Sequence, residues 1–296
     1  MSKPTLWVLV GLSGSGKSNT AAQIAEKTPD TIIVSSDEIR KEITGSRGDQ
    51  SQNEEVFKIF HDRIRRALEH KKNVVADATN LTMKSRRAIM MKVRGLDIYK
   101  VCYIIPKPFE QCKRDNLNRK HSVPEAVLNK QIRHFQIPFF EEGFDQIDIQ
   151  PFEKENPLTI LDMFNLMRNF DQKTPHHDRT LDEHCAYTQE LFSEYGYWNA
   201  YNIGAILHDF GKLYTQTIDD EGIAHYYDHH SLSSYLVLEN LNGCNEEVLL
   251  AICFLINYHM MPFGWDSYKS KERWRSRFGN AKYQMLLDFN KCDKMR

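Results

Sequence analysis

The chain has 296 residues, 41% hydrophobic and 27% charged, an ordinary balance for globular domains and enough length for two hydrophobic cores. Its formal net charge of −1 excludes broad, non-specific attraction to nucleic acid and leaves only a local basic groove for that purpose. No apolar run approaches the roughly 20 residues that span a bilayer, and no basic, apolar secretory leader opens the chain. The expectation is a cytoplasmic protein without membrane contact.

Taken in chain order, the front half alternates short apolar runs with helical patterns, which predicts a mainly parallel α/β sheet with flanking helices. Strands are predicted at 6–10, 31–35, 73–76 and 100–105, and helices at 17–27, 53–70, 82–94, 108–118 and 124–135. The stretch 143–157 is polar and holds Pro151 and Pro157, so it reads as the connection between domains. Beyond it the strand signals fade, and helices are predicted at 157–169, 180–195, 198–208, 230–241, 245–258 and 280–293. The expected organisation is therefore an α/β domain over 1–145, a linker at 146–157 and an all-α domain over 158–296. The six cysteines (102, 112, 185, 244, 253 and 292) lack C-x-x-C spacing and read as reduced thiols. Of twelve histidines, four precede residue 170 and eight follow it, so the two halves are expected to differ in chemistry.

The first motif is GLSGSGKS, a full match to G-x-x-x-x-G-K-[ST] between a strand and a helix. Gly11, Ser13, Gly14, Ser15, Gly16, Lys17 and Ser18 would wrap backbone N–H groups around the phosphates of ATP or another nucleoside triphosphate. Lys17 would reach the β- and γ-phosphates and Ser18 would hold Mg²⁺.

The acceptor has to be read from other stretches. VSSDEIRKEI places Asp37 and Arg40 just past the second strand, on the edge where parallel sheets bind ligands. Asp37 suits a general base for an attacking hydroxyl, and Arg40 a bidentate grip on an acceptor phosphate. The plainer alternative is a helix-capping Asp beside a surface Arg. VVADATNLT puts Asp77, Thr79 and Asn80 at the end of the third strand, again on the ligand edge. CKRDNLNRKHSVP supplies Arg114 and Arg119, which suit a lid over the triphosphate or else a solvated basic helix end.

In the back half, AILHDFGK sets His208, Asp209, Gly211 and Lys212 after an apolar run, where they are costly to bury unless paired or ligated. His184 lies upstream, and His229, His230, His259 and Asp293 downstream, each on or beside a predicted helix. A single histidine on an apolar face is usually a core residue, but this ordered set points to converging metal ligands. Imidazole with carboxylate suits one or two ions of Mn²⁺, Fe²⁺, Co²⁺, Ni²⁺ or Zn²⁺. A metal there would lower the pKa of water for attack on a phosphoester. The tail WDSYKSKERWRSRF interleaves Lys269, Lys271, Arg273, Arg275 and Arg277 with Trp265, Tyr268 and Trp274. That pattern suits single-stranded nucleic acid. A charged surface segment with inward-packed aromatics is the preferred reading.

Over residues 4–140 the motifs resemble the kinase domain of the bacteriophage polynucleotide kinase family: P-loop, strand-end Asp with Arg three residues on, D-x-x-N, and paired arginines before Val-Pro. The resemblance implies Asp37 as base for a 5′-hydroxyl, Arg40 on the acceptor's 3′-phosphate and Arg119 as lid arginine. The Arg114–Arg119 spacing is one residue longer than the usual form. Small-molecule P-loop kinases and zeta-type toxins share much of the pattern. Over 170–296 the order H…HD-x-G-K…H…H…D resembles the HD-domain metal-dependent phosphohydrolases. That resemblance implies His184, His208, Asp209 and Asp293 as metal ligands, and His229 and His259 as ligands of a second metal. It also implies Lys212 near the substrate phosphate. His229 is preferred to His230 because Ser233 and Ser234 follow at the family's small-residue spacing.

Together these imply an RNA end-healing enzyme: a 5′-hydroxyl polynucleotide kinase fused to a 2′,3′-cyclic phosphate or 3′-phosphate phosphoesterase. Its partners would be nucleic-acid ends, RNA for preference, and a separate RNA ligase. Known bacterial fusions place the HD domain first, whereas here the kinase motifs lead. The D-x-D-x-T motif of the phage phosphatase half is missing. The alternatives are a nucleoside, nucleotide or other small-molecule kinase joined to an HD nucleotidase, a zeta-like toxin kinase, and a non-catalytic nucleotide switch.

Overall fold

The computed structural model describes residues 3–118, 122–174 and 178–295. The chain divides into two compact units, Met1–Gln131 with Pro138–Gln150, and Ile132–Ile137 with Pro151–Arg296.

The first unit is built on five parallel strands: β1 (Thr5–Val10), β2 (Thr31–Ser35), β3 (Asn73–Asp77), β4 (Tyr99–Ile104) and β5 (Gln146–Ile149), in the order β2-β3-β1-β4-β5. Central strands buried on both faces need continuous apolar sequence. Accordingly Leu6, Val8, Leu9 and Val10 of β1 and Val74, Val75 and Ala76 of β3 are fully enclosed. The connecting helices are α1 (Lys17–Lys27), α2 (Ser36–Thr44), α3 (Asn53–Glu69), α4 (Met83–Lys92), α5 (Phe109–Leu117) and α6 (Glu125–Arg133). α3 buries Val56, Phe60, Ile64, Ala67 and Leu68, an apolar stripe at helical spacing. β1 has β3 on one side and β4 on the other, so the strand order reverses there and opens a crevice at the strands' carboxyl ends.

In this unit two elements differ from expectation. Residues 146–149, assigned to the linker, form the edge strand β5, pairing Val101 with Gln146 and Ile104 with Ile149. The two-residue alternation that buries Ile147 and Ile149 is carried by a four-residue, half-polar strand, too short to stand out from a polar loop. α2 follows β2 with no intervening turn, which hides its start from any breaker-based reading.

The second unit is helical: α7 (Ile160–Leu166), α8 (Leu181–Ser193), α9 (Asn199–Leu207), α10 (Lys212–Thr215), α11 (His229–Asn240), α12 (Glu246–Tyr258) and α13 (Tyr268–Asp293). A two-stranded hairpin of β6 (Thr217–Ile218) and β7 (Ala224–His225) interrupts them. α13 breaks at Gly279, with φ 74° and ψ 162°, into limbs 268–278 and 280–293. Residues 132–137 join this unit through α12. Asn257 Nδ2 donates to the Phe135 carbonyl at 3.0 Å, Ile137 N–H donates to Asn257 Oδ1 at 2.8 Å, and Tyr258 Oη donates to the Ile137 carbonyl at 2.8 Å. The stretch Glu246–Gly264 is long and apolar enough to cross a membrane by length and composition, contrary to the sequence expectation. Its apolarity has a packing cause: 61% of it is buried, and α12 contributes Leu249, Ile252, Phe254, Leu255 and Ile256 to the core.

Candidate active sites

In the first unit, β1 ends in the loop Gly11–Gly16 and α1 begins at Lys17. Gly14 sits at φ 84°, and a Cβ there would stand 2.3 Å from the Cys112 carbonyl oxygen, so only glycine allows the loop to lie against α5. Lys17 Nζ donates to the Leu12 carbonyl at 2.7 Å, and Ser18 Oγ donates to Asp77 Oδ2 at 3.0 Å. Burial pushes the Asp77 carboxyl above its usual range, against the pull of Lys17 and Ser18. A hydroxyl and a buried carboxylate at the start of α1, beside an amide-lined turn, form the oxygen-donor set that Mg²⁺ with a triphosphate requires. The Ser15 hydroxyl is buried there without a hydrogen-bond partner.

Asp37 lies in the first turn of α2, with its side chain 53% exposed. Arg40, expected to hold an acceptor phosphate, is instead buried: its guanidinium donates to Asp37 Oδ1 at 2.8 Å and to Asn53 Oδ1 at 3.1 Å. One turn of helix separates the two residues, so Arg40 reaches back along the helix face and holds the carboxylate. Asn80, expected to touch substrate, is also buried, at φ 45°, and its amide donates to the Leu9 carbonyl at 2.8 Å. Thr79 contributes its carbonyl, which accepts from Gly11 N–H at 3.1 Å. These residues stitch the end of β3 to the loop. Arg114 is exposed on α5. Arg119 lies outside the described residues.

Two contributors carry no sequence signal. Gln131 of α6 accepts from Ser13 N–H at 2.8 Å and donates to Ser13 Oγ at 2.9 Å. Arg86 of α4 is fully buried, paired with Glu142 at 2.6 Å, and donates to the Asn80 and Leu81 carbonyls at 3.1 Å.

In the second unit the predicted histidines and aspartates come from five elements onto one point. His184 lies on α8, His208 and Asp209 follow α9, His229 opens α11, His259 follows α12 and Asp293 ends α13. His208 Nε2 is 3.2 Å from Asp293 Oδ1 and 3.3 Å from Asp209 Oδ2, and His184 Nε2 is 3.1 Å from Asp293 Oδ1. On the far side of the same carboxylate, His229 Nε2 is 3.0 Å and His259 Nε2 3.6 Å from Asp209 Oδ1. Among the described residues two triads of histidine and aspartate have metal-ligand spacing, His184–His208–Asp293 and Asp209–His229–His259, and a third group sets Cys185 with His208 and Asp209. Asp209 offers one oxygen to each side.

The tautomers follow from the backbone. The Nδ1 atoms of His208, His229 and His259 each lie 2.7 Å from the carbonyl three residues earlier, of Ala205, Tyr226 and Ile256. A neutral imidazole has a single N–H, so each Nδ1 donates and each Nε2 aims a lone pair inward. His229 and His259 then point lone pairs at each other across 3.3 Å, which is repulsive unless a cation takes up both. The cluster therefore fits a metal. Although burial works against a charged ring, Asp209 and Asp293 hold His208 well above the usual histidine range. His230 packs beside the cluster, edge to face with His229, and burial drives it down to about 3. His229, and not His230, faces Asp209.

Lys212, expected near a substrate phosphate, is buried with Nζ 2.7 Å from Asp209 Oδ2, and it donates to Gln172 Oε1 at 2.8 Å. Gln172, which nothing in the sequence singled out, is itself held by Tyr226 Oη donating to its carbonyl at 2.6 Å. Gly211 explains the spacing of the motif: a Cβ would stand 2.4 Å from the His229 carbonyl oxygen. Its N–H donates to Ser233 Oγ at 2.6 Å, docking α10 on the start of α11. All six cysteines are free. Cys185, beside His208 and Asp209, is pushed up by burial and so stays a thiol.

Comparison with known proteins bears on the first unit. Residues 6–138 match the AAA domain family. The L-seryl-tRNA(Sec) kinase of Methanococcus maripaludis is 28% identical over 49% of this chain and 57% of its own length. The bifunctional polynucleotide phosphatase/kinase of Schizosaccharomyces pombe is 28% identical over 49% of this chain and 33% of its own length. This chain thus spans about half or less of those curated relatives. A chain of the Pnkp1/Rnl/Hen1 RNA repair complex aligns with 85% of this chain and 93% of its own, at 16% identity and a TM-score of 0.41. The first unit is thus a parallel-sheet α/β domain whose residues 6–138 are similar to the AAA domain family, with its glycine-rich loop at the strand-order reversal.

Proposed function

We propose that the chain heals nucleic-acid ends, RNA for preference, as an ATP-dependent 5′-hydroxyl polynucleotide kinase joined to a metal-dependent phosphoesterase for 2′,3′-cyclic phosphate or 3′-phosphate. The observation that carries this reading is the convergence of two triads, His184–His208–Asp293 and Asp209–His229–His259, on one buried point, because a P-loop alone names a donor and not a task. Both curated relatives are named as kinases of an RNA-borne or polynucleotide acceptor, and one couples the kinase to a phosphatase. In this reading the protein acts in the cytoplasm and passes healed ends to a separate ligase.

In the first unit Asp37, positioned by Arg40, takes the proton of the 5′-hydroxyl as that oxygen bonds to the γ-phosphorus. The bond from the γ-phosphorus to the bridging oxygen breaks and ADP leaves. Lys17 exchanges the Leu12 carbonyl for the phosphates, and Ser18 with Asp77 holds Mg²⁺. In the second unit His184, His208 and Asp293 would hold one divalent transition metal, and Asp209, His229 and His259 would hold a second. Such ions supply Lewis acidity and water of lowered pKa. Lys212 keeps the Asp209 carboxylate ionised: although burial penalises that charge, His208, Lys212 and His229 hold Asp209 far below its usual range.

The test is an acceptor screen with γ-labelled ATP alongside a cyclic-phosphate release assay. Asp37→Asn should lower transfer to a 5′-hydroxyl oligoribonucleotide by about 100-fold or more, the scale of general-base catalysis. Asp209→Ala should abolish cyclic-phosphate opening and leave transfer intact. Transfer to free nucleosides and not to oligomers would replace this reading with nucleotide metabolism.

A further inference from the structure

The first limb of α13, residues 268–278, takes no part in either centre. It carries Lys269, Lys271, Arg273, Arg275 and Arg277 against a single carboxylate, Glu272, in a chain whose formal charge is −1 overall. Glu272 pairs with Arg275 at 3.0 Å. Lys269, Lys271 and Arg273 are exposed and have no carboxylate partner among the described residues. Unpaired cations concentrated on one short helix repel one another, so the limb stores a demand for an anion.

The arrangement is directional. Lys269, Arg273 and Arg277 stand four residues apart and share one face, each step advancing about 6 Å along the axis. Between the last two lies Trp274, half-buried, with the Arg277 and Arg273 guanidinium groups 4.7 and 5.5 Å from its ring centroid. Phe278 backs it, stacked at 5.3 Å and 19°. The ridge thus rests on a supported aromatic floor. Tyr268, at the limb's start, is 79% exposed.

The structure also divides the aromatics that the sequence read together. Trp265 is buried and stacks on Tyr283 at 4.5 Å and 13°, so it is core. Trp274 is half-buried on the enclosed Phe278, which leaves Tyr268 as the exposed ring of the segment. A row of cations beside an open ring is how single strands are held without sequence preference, with phosphates on the cations and a base on the ring. A duplex keeps its bases stacked on one another and cannot use the ring. Past the break at Gly279 the second limb runs on to Asp293, so the ridge and the metal cluster lie on consecutive limbs of one chain segment.

We propose that limb 268–278 is a platform for single-stranded nucleic acid, with phosphates along Lys269, Arg273 and Arg277 and a base on Tyr268. It deepens the end-healing reading by giving the second unit a substrate contact outside its catalytic cluster.

The test uses the full chain, without ATP or added metal, and a fluorescent single-stranded oligoribonucleotide with a 5′-phosphate and a 3′-hydroxyl, which neither centre can act on. Anisotropy is titrated over a range of salt. Lys269→Gln/Arg273→Gln/Arg277→Gln should reduce the slope of log K against log salt by about 2, since each phosphate contact on a single strand contributes about 0.7. Tyr268→Ala should weaken binding about fivefold or more without changing that slope, as expected for a lost stacking partner. Lys269→Arg/Arg277→Lys should keep the parent slope, and circular dichroism checks that each variant is folded. An unchanged slope in the folded triple variant, or equal competition by a duplex of the same length, overturns the platform. Kinase and phosphoesterase assays on unhealed ends run separately. Loss of the slope with neither activity present would leave the platform standing and remove the end-healing reading.

Discussion

Gln131 ties both ends of its amide to Ser13, so the phosphate loop is held from α6 as well as by its own turn. Two hydrogen bonds at about 1 kcal/mol each give the scale of what this latch contributes. Gln131→Ala should therefore raise the apparent KM for ATP by about tenfold, with little change in far-ultraviolet circular dichroism. An unchanged KM would make the contact incidental. At this scale the sequence marks residue types, while the partner that each side chain meets comes from the fold. Asp37, Asp77 and the six metal-type ligands could be picked out because their chemistry has few other uses at strand ends or in apolar helices. Arg40, Asn80 and Lys212 were picked out too, but as groups facing substrate. Each proves buried and bonded to another protein group, because a polar atom without water takes the nearest partner. Gln131 and Gln172 were missed, since a glutamine in a helix or loop has no spacing that marks it.

At the scale of elements, the Arg86–Glu142 pair fastens the start of α4 to the turn before β5, within the carbonyl hydrogen bonds that shape the end of β3. Removing one member leaves a buried charge. Arg86→Met should cost about 3–5 kcal/mol in urea unfolding, and Arg86→Met/Glu142→Leu should recover most of that loss. The junction of α10 and α11 is as exacting for a steric reason. Gly211→Ala would drive a methyl into the His229 carbonyl and Ser233, so the melting temperature should fall and bound metal should drop. Metal content by atomic emission on the folded fraction is the readout. Most helices could be read from their apolar period, α3 and α8 to within a residue or two. The second limb of α13 matches the helix predicted at 280–293, whereas the first limb, 268–278, was read as a charged segment, because its crowded cations and aromatics hide any apolar period.

At the scale of the molecule, each candidate centre draws its residues from one unit alone. A mixture of the Asp37→Asn and Asp209→Ala proteins should therefore treat both ends of one RNA as completely as the parent, though more slowly. Recovery of only one modification in end-group analysis would show that the two steps must occur on one chain.

The short excursion of residues 132–137 has its own consequence. The chain leaves the first unit after Gln131, spends six residues in the second, and returns at Pro138 before departing for good after Gln150. The chain therefore crosses between the two units three times, after Gln131, Ile137 and Gln150. A fragment starting at residue 151 would leave the Asn257 amide without the Phe135 and Ile137 backbone groups that satisfy it. Any transplant of the helical body into another protein, by a laboratory or by recombination, has to carry that stitch as well.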